Sequence, residues 1–137
     1  MRARLDTQET SMKRALLLID HGSTRPEANQ VLVRVAEMIR HRSSFDSIQY
    51  AHMEIAEPTI AQAFAACVAD GAHEVIVHPY FLAPGAHYNE DIPRLVREAA
   101  TPYPEVRWAI TNPLGIHPKI CEVVLERVEE AARTAIT

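Results

Sequence analysis

The chain has 137 residues, 47% hydrophobic and 23% charged, with 14 Lys and Arg against 18 Asp and Glu for a formal net charge of −4. That length suits one domain that buries roughly two thirds of its unfolded surface, and the balance is that of a globular fold. Acids and bases are interspersed without a basic run, so a nucleic-acid partner is not expected. No stretch approaches the ~18 apolar residues of a membrane span, so no membrane partner is expected either.

Residues 1–12 are polar and lack the apolar run of a signal peptide. They read as a disordered tail, with Met12 a possible natural start, and residues 13–137 as the domain. A cytoplasmic location is expected. Cys67 and Cys121 lie far apart, without the CxxC spacing of a metal site or the pattern of a disulfide scaffold. Each falls on the apolar face of a predicted helix, which predicts buried, inert thiols.

From Lys13 onward, short β-like runs alternate with amphipathic helical ones. The continuous apolar run Ala15 to Ile19 predicts a strand covered on both faces. Ala28, Val31, Leu32, Val35, Ala36 and Ile39 recur at helical spacing, with Pro26 near the helix start. Ile48 to Ile55 predicts a second strand, more polar and therefore nearer an edge. Pro58 is expected to open a helix carrying Ile60, Ala63, Phe64, Cys67 and Val68 on one face, stopped by Gly71.

Val75 to Val77 is the third strand, closed by Pro79, and a loop from Leu82 to Asn89 follows. Ile92, Leu95, Val96, Ala99 and Ala100 mark the next helix, capped by Asn89 or Asp91. Val106 to Thr111 is the fourth strand. Ile120, Val123, Val124, Val128, Ala131 and Ala135 stripe the last helix. The order βαβαβαβα implies a single doubly wound α/β domain with a four-stranded, mostly parallel sheet. Four strands leave an edge or face free to pair with a second subunit.

Ligands of an open parallel α/β sheet bind beyond the carboxyl ends of its strands. The unusual residues of this chain fall there: Asp20-His21-Gly22-Ser23 after the first strand, Glu54 and Glu57 after the second, Leu82 to His87 after the third, and Asn112-Pro113 after the fourth. His21 alone could do no more than satisfy a turn. His87, in a Gly-containing loop on the same rim, makes a pair. Neutral imidazole suits Fe, Co, Ni and Zn, and two imidazoles without thiolates leave coordination positions open for a metal that must be handed on. Glu54 and Glu57 could accept protons or complete a ligand set, or be no more than a solvated strand end and helix start. His41, His73 and His117 read as surface or helix-end residues, whereas His52 and His78 lie within strands as core groups or as supports of a neighbouring ligand.

The stretches Leu17-Leu18-Ile19-Asp20-His21-Gly22-Ser23, Ala51-His52-Met53-Glu54-Ile55-Ala56-Glu57-Pro58 and Pro79-Tyr80-Phe81-Leu82-Ala83-Pro84-Gly85-Ala86-His87, with Asp91-Ile92-Pro93 and Asn112-Pro113-Leu114-Gly115, closely resemble the small single-domain sirohydrochlorin chelatases. The resemblance runs from Lys13 to the last helix and is strongest to the branch with the plant ferrochelatases. It implies a class II chelatase fold, a symmetric homodimer, and insertion of a divalent metal into sirohydrochlorin in sirohaem or cobalamin biosynthesis, Fe²⁺ first and Co²⁺ close behind.

Carried over by position, His21 and His87 bind the metal, and His21, His87 and Glu54 are catalytic, with His21 also a proton acceptor. Glu57 and Leu82, Ala83, Pro84, Gly85, Ala86 and His87 contact the tetrapyrrole. The metal is a substrate, and no tightly bound cofactor is expected. The cysteine-bearing tail of the plant enzymes is absent, so neither is an iron–sulfur cluster. Asp20 stands where many bacterial members have glycine, and His78 lies outside the usual pattern; both bear on metal preference. A non-catalytic metal or tetrapyrrole carrier using the same histidines is the alternative. A histidine phosphatase would place Arg before His-Gly, where Asp20 would instead repel a phosphate.

Overall fold

The computed structural model describes residues 12–83 and 85–135, the side chains of residues 86–88 and 135 excepted. Four strands, β1 (Arg14–Asp20), β2 (Ser47–His52), β3 (Glu74–Pro79) and β4 (Arg107–Ile110), alternate with four helices, α1 (Pro26–Arg40), α2 (Ile60–Ala69), α3 (Ala86–Ala100) and α4 (Pro118–Ala135). The sheet order is β2-β1-β3-β4 and every pairing is parallel. The more polar β2 is an edge strand, as its composition predicts.

β1 is buried from Ala15 to Leu18 and at Ile19 because it is central and covered on both sides. Ala15, Leu17 and Ile19 join Val75 and Val77 of β3 under α2 and α3, where Phe64, Cys67, Ile92 and Val96 complete the main core. Leu16 and Leu18 face the other way and meet Leu32 and Ala36 of α1 and Ile48 of β2. Phe64 and Leu17 are fully buried, and each such side chain contributes about 1.5–3 kcal/mol relative to an exposed one.

Several boundaries differ from the sequence expectation. β2 stops at His52 rather than Ile55, because the chain bends away at Ile55, which has φ 78°. α2 is opened by Thr59 rather than Pro58, through a reciprocal capping box with Gln62. β4 is the shorter span Arg107–Ile110. α3 begins at Ala86 with Gly85 as its N-cap, ahead of Asn89 and Asp91. His87 therefore belongs to the first turn of a helix, not to a loop.

The last helix departs most. Its apolar stripe was expected to pack on the domain, yet every residue from 121 to 134 is exposed, Cys121 included. The matching gap lies on the sheet. α1 lies mainly over β1 and β2, with Ile76 of β3 at the margin of the same cluster, and Arg107 and Ala109 of β4 and Thr111 just beyond it, on that side beside Ile76 and His78, are exposed.

Candidate active site

The β1–β2 pairing continues past the strand ends and builds the site from the backbone outward. Asp20 pairs with His52 in register. Beyond them Met53 N–H donates to the Asp20 carbonyl at 2.8 Å and Glu54 N–H to the His21 carbonyl at 3.1 Å. This brings His21 and Glu54 side by side, with His21 Nε2 3.2 Å from Glu54 Oε2 and both side chains about half exposed.

Three devices hold the pair. Gly22, at φ 97°, lets the Glu54 carbonyl approach where any Cβ would collide. The Asn29 side chain, one turn into α1, accepts from Ser23 N–H at 2.9 Å and donates to the Ser23 carbonyl at 2.8 Å, clamping the turn on its far side. Behind it, His52 Nδ1 lies 2.5 Å from Asp20 Oδ1, so the imidazole carries its proton on Nδ1 and donates it to the carboxylate. His52 is almost completely buried, and Asp20 satisfies a donor that would otherwise be costly to desolvate. Ile55, immediately after Glu54, holds a left-handed φ that costs a β-branched residue of order 1–3 kcal/mol.

Asp20, His21, Gly22, Ser23, Asn29 and Tyr80 line an open cleft of about 390 Å³. A narrower one of about 120 Å³ lies between the ends of β3 and β4 and the start of α3, bordered by Phe81, Asn89, Pro93 and Asn112. The connection between β3 and α3 is fastened across this rim, because Leu114 N–H donates to the Phe81 carbonyl at 2.8 Å and Gly115 N–H to the Leu82 carbonyl at 2.7 Å. Leu82, Ala83 and Gly85 are exposed there. Pro84 and the side chains of Ala86 and His87 lie outside the described residues.

Glu57 is held differently. Its carboxylate accepts from Gln62 Nε2 at 3.4 Å, which ties it to the first turn of α2 rather than to His21 and Glu54. Of the remaining histidines, His41 is exposed at the end of α1, His73 Nδ1 accepts from Lys13 N–H, and His117 Nδ1 accepts from Lys119 N–H at the start of α4. His78 Nδ1 is 2.7 Å from Thr111 Oγ1, whose only proton goes to the Asn112 carbonyl, so His78 is the donor. Burial holds the His78 pKa below its ordinary value.

A metal with ligand bonds of about 2.1 Å sets neighbouring donor atoms roughly 3.0 Å apart in octahedral and 3.4 Å in tetrahedral geometry. The 3.2 Å between His21 Nε2 and Glu54 Oε2 falls between these values, so the two can present one ion in common or pass a proton. Among the described residues no group of three His, Cys, Asp or Glu side chains forms a metal cage. An imidazole and a carboxylate alone leave most of an ion's coordination sphere open.

Residues 15–131 match the CbiX family model. The chain belongs to the CbiX family. It is 40% identical over 114 residues to the chloroplastic sirohydrochlorin ferrochelatase of Arabidopsis thaliana, covering 83% of this chain and 51% of that one. To a sirohydrochlorin cobaltochelatase of Methanococcus maripaludis it is 33% identical, covering 82% of this chain and 96% of that protein. The crystal structure of the sirohydrochlorin chelatase SirB from Bacillus subtilis subspecies spizizenii in complex with cobalt superposes with a TM-score of 0.81 at 34% identity, over 87% of this chain and 51% of SirB. This CbiX-family chain thus spans about half the length of its plant and Bacillus relatives and nearly all of the archaeal one.

Sequence reasoning singled out His21 and Glu54, which the fold brings together, and named Asp20 and His52 without pairing them. Asn29 was missed. Its only signal was an amide at the start of a helix that follows a His-Gly-Ser turn.

Proposed function

We propose that this chain inserts a divalent metal, Fe²⁺ in preference to Co²⁺, into sirohydrochlorin, acting as a cytoplasmic homodimer. The carrying observation is the His21–Glu54 pair, open to solvent at the mouth of a cleft beyond the carboxyl ends of β1 and β3. Membership of a family whose relatives are sirohydrochlorin ferrochelatases and cobaltochelatases supports the reaction. The longer match to the plant ferrochelatase, 40% identical over 114 residues against 44% over 82 for an archaeal cobaltochelatase, supports iron.

Insertion forms bonds from the metal to the pyrrole nitrogens and releases two N–H protons. His21 and Glu54 hold the incoming ion between Nε2 and Oε2, with His87, in the first turn of α3, as a further ligand. Once the ion has moved to the ring, the same two atoms are free to take up the protons, a role typically worth about 10²–10⁴-fold in rate. α1 and α3 both begin at this rim without a side-chain cap. Their first-turn N–H groups, with Arg25 beside them, suit the carboxylates of the macrocycle. Leu82, Ala83 and Gly85, held by the bonds from Leu114 and Gly115, offer an edge for the ring, and Glu57 borders it.

The experiment is an anaerobic incubation of the full chain with sirohydrochlorin and Fe²⁺, Co²⁺ or Ni²⁺, following the absorbance change on metal insertion. Catalysed insertion, fastest with Fe²⁺, is expected. Stoichiometric metal binding with no acceleration over the uncatalysed rate would identify a carrier and overturn the reading.

A further inference from the structure

Two stretches of the sequence, Asp91-Ile92-Pro93 and Asn112-Pro113-Leu114-Gly115, take no part in the His21–Glu54 pair, yet the fold brings them together. Ile92 and Pro93 of α3 share the narrow cleft of about 120 Å³ with Ile110, Asn112 and Pro113 at the end of β4. Phe81 borders this cleft and also the open one at His21. The two clefts are therefore neighbours on one rim, with Phe81 as their common wall.

The narrow cleft is an apolar slot with few polar groups left to bond. Phe81, Ile92 and Ile110 are apolar, and Pro79, Pro93 and Pro113 have no N–H to offer. Thr111 Oγ1 accepts from His78 and gives its proton to the Asn112 carbonyl, while the Phe81 carbonyl already accepts from Leu114 N–H. What remains is a pair of carboxamides, Asn89 and Asn112. Both are exposed, and neither side chain is bonded to another among the described residues. No Asp or Glu borders the cleft among the described residues, so a negative group meets no like charge there. Apolar walls with a few convergent polar groups are how small-molecule sites fix one part of a ligand.

We propose that Asn89 and Asn112 receive one carboxylate arm of the tetrapyrrole, each donating an Nδ2–H to it. The inference rests on the sirohydrochlorin reading above and adds to it the contact that sets how the ring is turned. Sirohydrochlorin carries acetate and propionate arms around its rim. Water occupies about 30 Å³ per molecule in the liquid, so the slot takes about four groups of that size. An acetate arm is one methylene and the three heavy atoms of a carboxylate. With the ring's centre at His21 and Glu54, such an arm passes Phe81 to enter the slot.

The experiment is a titration of the full chain with metal-free sirohydrochlorin, read by tetrapyrrole fluorescence, beside steady-state insertion. Asn89→Leu and Asn112→Leu should each weaken binding and raise KM for sirohydrochlorin about tenfold, the lower end for a hydrogen bond to a charged group, with kcat nearly unchanged. Asn112→Asp sets a second negative charge against the arm and should weaken binding further. That extra loss should vanish with the methyl ester of sirohydrochlorin, whose arms carry no charge. Co²⁺ binding without the ring, and the thermal melt, should match wild type in every variant, which separates recognition of the arm from damage to the His21–Glu54 pair or to the fold. Leu variants that bind sirohydrochlorin as tightly as wild type would overturn the subsite and leave the insertion reading standing. A wild-type chain that binds no sirohydrochlorin would overturn both.

Discussion

A Cβ on Gly22 would lie 1.9 Å from the carbonyl oxygen of Glu54. The turn that presents His21 is therefore built against the backbone that presents Glu54, and only a glycine fits. Gly22→Ala must move one segment and also holds φ near 97°, so a loss of about 2–4 kcal/mol is expected, together with loss of metal insertion. Urea unfolding checks the first part, and an unshifted midpoint would contradict the close approach.

In the proposed mechanism His21 and Glu54 act on the ion and its protons, and both side chains stand half exposed. His21→Ala and Glu54→Gln should each lower the insertion rate by about 10²–10⁴-fold while changing stability by no more than about 0.5 kcal/mol. Steady-state rates with a thermal melt test this. A variant with normal turnover would remove that residue from the mechanism.

Asp20 accepts from the buried His52 Nδ1–H. Asp20→Ala leaves that donor unsatisfied and should cost about 1–3 kcal/mol. Asp20→Asn keeps an acceptor oxygen and should cost distinctly less. Equal losses in chemical denaturation would show that the hydrogen bond is not what Asp20 contributes.

Burial depresses the His78 pKa, so the unfolded chain binds this proton at higher pH than the folded one does. Stability should consequently fall as pH drops through the unfolded value of about 6.5 and level off below the folded one. His78→Gln should flatten that part of the profile. An unchanged slope in melts between pH 7.5 and 5 would argue against it.

Burial beside Asp70 pushes the Cys67 thiol up to about 12, leaving almost no thiolate near neutrality. Its alkylation should track global unfolding. Rapid labelling of Cys67 in the native protein would be incompatible with a sealed core.

Much of this arrangement was legible in the residues. The apolar run of β1, the alternation of strand and helix signals, and the gathering of His21, Glu54 and Leu82 beyond the strand ends follow from periodicity and from the rule that such sheets bind ligands at that edge. Two helix starts were misplaced because the N-cap residue decided them. Thr59 and Gln62 open α2, and Gly85 opens α3 without a side-chain cap, both weaker signals than a proline or an acidic residue.

Local pattern thus determined which elements form and which edge of the sheet carries the chemistry, since hydrophobic period and turn residues act within a few positions of one another. Only the folded chain decided that Asp20 meets His52, that Asn29 grips Ser23, and that α4 leaves its own domain. Those depend on strand register and on where a connection is tied, which join residues far apart in sequence. An amphipathic stripe such as that of Val124 and Val128 states that a helix must be covered, but not by what.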